Sequence, residues 1–213
     1  MNLGLSADQV LTTTRSVRKR LDYDRPVERS VVEECIRIAL QAPTGSNAQG
    51  WQWVVIEDPG LKEQVADCYG ANFDAYANRT DRPVYADDDP RTRRGDAVRA
   101  SATHLRENFH RAPFLVIPCA LGRVDGAGSF TQASYWGSIL PAVWSFMLAL
   151  RERGLGSAWT TLHLPNEREV AQLLGIPDDV TQAGLFPVAY TKGTDFKEAS
   201  RLPAAELIHW DRW

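Results

Sequence analysis

Hydrophobic residues recur every three or four positions in several stretches of the chain, which is the spacing of one buried helix face. This pattern predicts helices over residues 30–42, 59–68, 131–153 and 167–174. Capping signals mark three of the starts: Ser30 and Asn166 each precede a glutamate by three positions, and Asp58 precedes a proline. The third helix carries bulky residues on nearly all sides, so we expect it to be central.

Three shorter segments are rich in β-branched and aromatic residues and predict buried strands, over residues 51–57, 113–120 and 183–190. A short strand or loop is expected over residues 154–164. Strands that are separated by helices and long connections indicate an α/β or α+β domain of three layers. Since no repeat or linker divides the sequence, we interpret residues 1–213 as one domain.

Residues 79–99 differ from the rest of the chain, because they hold six arginines and five aspartates and are interrupted by proline. A stretch with this many charges predicts an exposed segment, which lies within a wider region, residues 70–112. Two interpretations are open for it: a solvated loop, or a mobile lid over a site. The charge density favours the solvated loop.

The charge balance argues against a nucleic-acid partner. The chain has 213 residues with 24 basic and 27 acidic side chains and a formal net charge of −3, whereas nucleic-acid binders usually carry a basic excess. The nucleic-acid alternative rests on Arg91, Arg93 and Arg94, and the neighbouring aspartates oppose it.

Neither a secretory signal nor a membrane span is expected from the sequence. The first residues lack a basic start followed by an apolar run, and the most apolar helical stretch, residues 139–150, is shorter than the roughly 20 residues that a span needs. Cys35, Cys68 and Cys119 are odd in number and lie far apart, which favours a reducing compartment. We therefore expect a cytoplasmic protein.

Common catalytic motifs are missing from the sequence. It has no G-x-S-x-G, H-E-x-x-H or phosphate-binding P-loop pattern. Residues 154–159 come nearest to a dinucleotide fingerprint, but Trp159 occupies the place of the third glycine and the segment follows a helix. The four histidines show no metal-ligand spacing, and we expect most of them at the surface or in caps. A bound organic cofactor could carry the chemistry instead.

Four separated segments have the hydrogen-bond donors that a flavin mononucleotide would need: arginine guanidinium groups, hydroxyls and backbone amides. Taken singly, each is typical of an ordinary turn, loop or helix end. The segments are residues 15–19, residues 42–51, residues 154–161, and Lys197 with Arg201.

In their order along about residues 12–211, these segments resemble the nitroreductase family of FMN-dependent flavoproteins. Members carry an R-S-x-R motif near the start, a P-S-x-x-N-x-Q-P-W loop after the first helix, a G-L-G segment after the long central helix, and a basic residue before a His-Trp tail. The matching positions are residues 15–18, 43–51 and 154–156, and Arg201 ahead of residues 207–211.

The resemblance implies an α+β fold, a three-layer α-β-α sandwich that forms an intertwined homodimer with two FMN sites between the subunits. The resemblance places the first motif at the phosphate, ribityl chain and pyrimidine edge of FMN, and the last arginine at the phosphate. It places the 159–161 segment beside flavin N5, and it implies that the 43–47 loop reaches the flavin from the partner chain. The cofactor-binding residues it implies are Arg15, Ser16, Arg18, Pro43, Thr44, Asn47, Trp159, Thr160, Thr161 and Arg201.

The resemblance also implies a ping-pong reaction, in which NADPH or NADH delivers a hydride to flavin N5 and a nitroaromatic, quinone or related acceptor then removes it. No dedicated protein acid or base is expected, because solvent can supply protons. Two alternatives stay open: a specialised reductive dehalogenase or flavin-fragmenting branch, and a flavin-binding or storage protein whose pocket is closed to nicotinamide. Residues 70–112 show no clear Glu/Tyr/Lys lid set for a dehalogenase.

Overall fold

The structure, a computed structural model, describes residues 2–81, 83–86 and 89–213, and of these it leaves out the side chains of Pro90, Arg91, Arg93 and Arg94. Asp87 and Asp88 of the charged segment, and the arginine side chains on which the nucleic-acid alternative rests, thus lie outside the described residues. The helices are α1 (Ala7–Thr13), α2 (Arg29–Ala39), α3 (Pro59–Asn78), α4 (Pro90–Asn108), α5 (Ser129–Glu152) and α6 (Glu167–Leu174).

Within the described residues, six strands form one sheet in the order β1-β6-β3-β2, with β4 added beside β6 and β5 beside β3. The strand pairs are antiparallel, with Val54 opposite Ile117 and Phe114 opposite Val188. Antiparallel pairing in a layered mixture with helices confirms the α+β class. The strands are β1 (Leu21–Asp22), β2 (Trp51–Ile56), β3 (Phe114–Leu121), β4 (Leu155–Gly156), β5 (Val180–Gln182) and β6 (Phe186–Thr191).

The central strand β3 shows why the fold has three layers. Successive side chains of a strand point to opposite faces of the sheet. Leu115 and Ile117 join a core formed with α3 and α6, whereas Phe114 and Val116 join a second core formed with α2 and α5. The continuous apolar run that marked this strand in the sequence therefore supplies both cores, which places the sheet between two helical layers.

The predicted helix starts have mixed outcomes. Asp58 is confirmed as the N-cap of α3, since its Oδ1 accepts a hydrogen bond from the backbone N–H of Leu61 at 2.9 Å. The capping box predicted at Ser30 is wrong: α2 begins one residue earlier, and Glu28 stands at the N-cap without a side-chain cap bond. The Glu28 carboxylate instead accepts a hydrogen bond from Tyr190 Oη at 3.0 Å.

The capping hydrogen bond predicted for Asn166 is also wrong. Asn166 does stand before α6, but its side chain makes no bond to the free backbone amides of the first turn. Its Nδ2 donates to Glu169 Oε2 at 2.8 Å, and its Oδ1 accepts from Asn72 Nδ2 at 2.7 Å. The side chain therefore joins α6 to α3.

The solvated loop favoured for residues 79–99 is wrong for its second half, which is helical from Pro90 onward as part of α4. A proline fits the first turn of a helix, where its missing N–H costs nothing. Beyond the charged segment, Leu105 of α4 is fully buried against the α3 core. This tertiary contact provides the apolar anchor that the charged sequence alone did not show.

The helix α5 spans the region predicted as the long apolar helix. Among the described residues it is the one helix that by length and composition could cross a membrane, a test that the core helix of a soluble protein also passes. Its second half is buried against α2, but its first turns are exposed, with Phe130 at 84%. The expectation of a wholly central helix is therefore right for one half only.

Candidate functional site

A backbone hydrogen bond brings two of the four predicted segments together. The N–H of Val17 donates to the carbonyl of Ser157 at 2.8 Å, which joins the segment 15–18 to the segment 154–161. Gly156 permits this approach, because a Cβ at that position would lie 2.9 Å from Val17 Cβ. Gly156, the second glycine of the G-L-G segment, thus serves the close packing of these two chain segments.

Arg15 joins the start of the C-terminal arm, residues 192–213, to the same place. Its Nε and Nη2 donate to the backbone carbonyl of Lys197 at 3.1 and 2.7 Å, and the guanidinium also donates to the carbonyls of Thr12 and Thr14. Arg15 therefore anchors the arm in this chain. Ser16 lies beside it with an exposed side chain.

Arg18 and the segment 159–161 line one cavity of about 450 Å³, whose other wall is formed by the helices α3 and α4. Cofactor and ligand cavities commonly have volumes of about 300–1,000 Å³. The cavity wall combines aromatic and small apolar side chains with six polar or charged ones among the described residues. The described residues that line it are Arg18, Tyr69, Phe73, Tyr76, Ala77, Asn78, Val98, Arg99, Ala102, Thr103, Trp159, Thr160, Thr161 and Leu162.

The segment 159–161 is fixed rigidly at the cavity wall. Thr160 exchanges backbone hydrogen bonds with Leu185, and its Oγ1 donates to the Leu185 carbonyl at 2.6 Å. The ring of Trp159 packs against Phe186, with ring centroids 5.4 Å apart. The Thr160 hydroxyl is thus used within the fold, whereas Thr161 is exposed and lines the cavity.

The predicted loop 43–51 lies elsewhere, docked on α5. The Gly45 N–H donates to Ser138 Oγ at 3.0 Å, and Trp51 Nε1 donates to the Ser138 carbonyl at 2.8 Å. Asn47 has a left-handed φ of 53°, as do two other non-glycine residues of this loop. Such conformations cost about 1–3 kcal/mol each and are often found at ligand sites. Within one chain, Pro43, Thr44 and Asn47 do not line the cavity.

The last predicted residue, Arg201, also lies apart from the cavity. Its side chain is on the exposed arm, where Nη1 donates to the neighbouring Ser200 carbonyl at 3.3 Å. A single chain therefore joins Arg15, Ser16, Arg18 and the segment 159–161 around one region, and it leaves Arg201 and the loop 43–47 on its outer surface.

The part of the wall that α3 and α4 contribute was not predicted from the sequence. Tyr69, Phe73 and Tyr76 repeat at steps of four and three residues, which is the spacing of one helix face. That pattern could have indicated an aromatic wall. Arg99 was counted only as one charge in an exposed segment, although it lines the cavity.

Burial shifts the pKa of one phenol in the cavity wall and of two thiols elsewhere in the core. Burial raises the pKa of Tyr69 to about 12, and the positive charge of Arg18 opposes this shift only in part. The phenol therefore remains protonated at neutral pH. Burial also raises the pKa values of the Cys35 and Cys119 thiols to about 12, so neither is a reactive thiolate.

His163 stands at the N-cap of a short 3-10 helix, Leu164–Asn166, but its side chain makes no cap bond, so the expectation that most histidines lie at the surface or in caps does not describe its buried ring. This residue follows the cavity segment and is 0% exposed. Within the described part of the chain, neither ring nitrogen has a hydrogen-bond partner. Burial lowers its pKa to about 4, while a nearby Gln182 side chain opposes the shift. His163 is therefore neutral at pH 7.

The comparison with known protein families decides the assignment. The model described as the nitroreductase family matches residues 11–190. The chain belongs to the nitroreductase family. It is thus an enzyme of the oxidoreductase type that characterises the family, as the segments at residues 15–18, 43–51 and 154–156 indicated. The match ends before Arg201, so the tail motif lies outside it.

Two curated relatives of this chain differ in their described activities. An iodotyrosine deiodinase of Thermotoga neapolitana is 26% identical over 181 residues, which cover 84% of this chain and 86% of the relative. A putative NADH dehydrogenase/NAD(P)H nitroreductase of Archaeoglobus fulgidus is 22% identical over 208 residues, covering 96% and 97%. Membership of the family therefore does not by itself define the reaction.

A solved structure supports the nitroreductase fold. The FMN and NADPH-dependent nitroreductase NfnB from Sphigopyxis sp. strain HMH is 24% identical, with a TM-score of 0.71 over 98% of this chain and 100% of that one. At this identity the likeness concerns the fold, and it confirms the predicted three-layer sandwich.

Proposed function

We propose that the protein is an FMN-dependent oxidoreductase that uses NADPH or NADH to reduce nitroaromatic, quinone or related electron-poor acceptors. The observation that carries this proposal is the cavity in which Arg18 and the segment 159–161 meet under an aromatic wall. Family membership and the FMN and NADPH of the similar solved nitroreductase support the same cofactors.

The residues around the cavity fit a flavin. FMN, when bound, supplies a ring that accepts and donates a hydride. The Arg18 guanidinium would stabilise the negative charge of the reduced ring, and the rigid wall at residues 159–161 would hold the ring edge with its backbone and the Thr161 hydroxyl. Ser16, with its exposed hydroxyl next to the cavity segment, would contact the phosphate end.

The lining chemistry agrees with a reaction that takes its protons from solvent. The described lining residues include no carboxylate, histidine or cysteine. The Tyr69 phenol, which lies near Arg18, has a pKa raised to about 12 and keeps its proton. In this proposal the wall therefore binds and orients the reactants.

A second copy of the chain would complete the site in this proposal. The first turns of α5 and the C-terminal arm expose large apolar side chains, with Phe130 at 84% and Trp210 at 85%. Exposed apolar area of this kind typically marks an interface. A homodimer would cover it and bring the loop 43–47 and Arg201 of one chain to the cavity of the other.

The purified protein is expected to be yellow and to bleach when NADPH or NADH is added without oxygen. Its flavin absorbance should return when a nitroaromatic or quinone is added. The measurement is stopped-flow absorbance with both nicotinamides and a panel of acceptors. A colourless protein that FMN cannot reconstitute would refute the proposal, and bound flavin that stays oxidised would favour the storage alternative.

Arg18→Ala is expected to weaken FMN binding by about 2 kcal/mol, roughly 30-fold, because one charge-assisted hydrogen bond is lost. Arg201→Ala should have an effect of similar size only if the arm reaches the phosphate in the dimer. Fluorescence titration of the apoprotein with FMN measures both. Arg168→Ala, on the exposed surface of α6, is the control and should leave the affinity unchanged.

A reductive dehalogenase is the second candidate, because one curated relative over most of the chain is an iodotyrosine deiodinase. In that case the reduced protein should release iodide from 3-iodotyrosine. Product analysis by iodide detection and chromatography distinguishes this reaction from nitro-group reduction. Release of iodide faster than turnover of every nitroaromatic and quinone would establish the second candidate.

A further inference from the structure

The charged side chains in the described cavity wall are all positive. Arg18 and Arg99 both line it, and the described lining residues include no acidic side chain, since Asp96, which pairs with Arg99, is not among them. The remaining wall is largely aromatic and apolar, with Tyr76 and Trp159 among its members. Such a cavity favours a planar ligand that carries a negative group.

The two arginines have different places in the wall. Arg18 belongs to the N-terminal segment that is bonded to Ser157, and under the proposed function its charge serves the flavin. Arg99 comes from α4, which packs on α3, the helix that contributes Tyr76. The cation that would still be available to an acceptor is therefore Arg99.

The Asp96 carboxylate that pairs with Arg99 can be replaced by the carboxylate of a ligand. The Arg99 guanidinium pairs with Asp96, three residues earlier on α4. The two side chains are 57% and 94% exposed, and ion pairs so exposed contribute little free energy. A ligand carboxylate that is held by the aromatic wall could replace or share this partner at small cost.

We propose, on the basis of the proposed function, that Arg99 binds the carboxylate of an aromatic acceptor and makes the protein selective for anionic over neutral substrates. The acceptor ring would stack between the flavin and the aromatic wall, with its carboxylate directed to α4. Because Arg99 is half exposed, the selectivity falls with increasing ionic strength.

Binding of ligands that cannot be reduced tests this claim without any turnover. Benzoate should bind the purified holoprotein about three- to tenfold more tightly than benzamide, its neutral isostere, as measured by calorimetry at low salt. Arg99→Gln should abolish this difference, and Arg99→Lys should keep part of it. Equal affinities in the unaltered protein, or a difference that survives in Arg99→Gln, would overturn the proposal.

The control variant is Arg168→Gln, which removes the same charge from a similar exposed pair. Arg168 is 58% exposed and its partner Asp178 is 97% exposed, but this pair lies on the surface around α6. The benzoate preference should be unchanged in this variant. A loss of preference there would show that net charge, and not Arg99, is responsible.

Separate half-reactions distinguish the acceptor from the reductant, whose phosphates are also anionic. Reoxidation by 4-nitrobenzoate should be faster than by 4-nitrobenzamide and should lose this advantage in Arg99→Gln, while reduction by NADPH and NADH stays unchanged. Slower reduction by NADPH with no change in reoxidation would overturn the proposal. If the protein binds no reducible flavin, the proposed function fails, whereas the binding comparison still gives its own answer.

Discussion

Replacing Gly156 by valine is expected to destabilise the protein by about 3 kcal/mol or more and to abolish FMN binding, because overpacking at a closed site is costly. A Cβ at this position would lie 2.7 Å from Thr191 Cγ2 and 2.9 Å from Val17 Cβ. Both neighbours are β-branched and have little rotamer freedom. The new side chain therefore has to displace backbone.

The backbone on both sides is hydrogen-bonded and resists this displacement. Val17 N–H donates to Ser157 at 2.8 Å, and Thr191 N–H donates to the Gly154 carbonyl at 3.0 Å. Movement would separate Arg18 from the cavity segment 159–161. Urea unfolding and FMN titration measure the two effects, and unchanged values of both would contradict this role of the glycine.

Gly128→Ala provides the matched control. A Cβ added to Gly128 would meet no atom within 4 Å, and this residue has an ordinary φ of −66° at the N-cap of α5. Its substitution should change the free energy of unfolding by no more than about 1 kcal/mol.

Stability is expected to fall on acidification because of His163, by about 2 kcal/mol between pH 7 and pH 5. Its pKa is about 4 in the folded protein because the ring is buried, against 6.5 as its ordinary value. As the pH falls below 6.5, the unfolded chain binds a proton that the folded chain does not. The unfolded state is therefore favoured increasingly until the pH nears 4.

His163→Phe should remove this contribution, because phenylalanine fills a similar volume and does not titrate. The difference in unfolding free energy between pH 7 and pH 5, measured by urea denaturation, should become smaller than in the unaltered protein. His110→Phe, at an exposed position, should retain the full pH dependence. An identical pH dependence in His163→Phe would refute the role of this residue.

The arrangement of elements could be predicted where burial alone decides it. The apolar run of β3 and the helical spacing of α2 both correspond to described elements, because each buries a face against a core. The N-cap at Asp58 could also be predicted, since a cap bond is local. The helix α4 could not, because its stability depends on Leu105 packing against a distant part of the chain.

The candidate site was predictable only in part, for a related reason. The order of the family motifs along the chain indicated Arg18 and Trp159 as site residues. Their segments are joined by the Val17–Ser157 hydrogen bond. Arg99 was missed, because its place in the cavity follows from the packing of α4 on α3, which no local pattern encodes. His163 was missed because polar character in a sequence does not reveal burial.

The crystal structure of the FMN-reconstituted protein is the most direct test of this account. It is expected to show a dimer with the flavin ring in the cavity, within hydrogen-bond distance of Arg18, beside residues 159–161 and reached by the loop 43–47 of the second copy. Flavin bound at another place, or bound by an isolated chain without contact to Arg18, would contradict it.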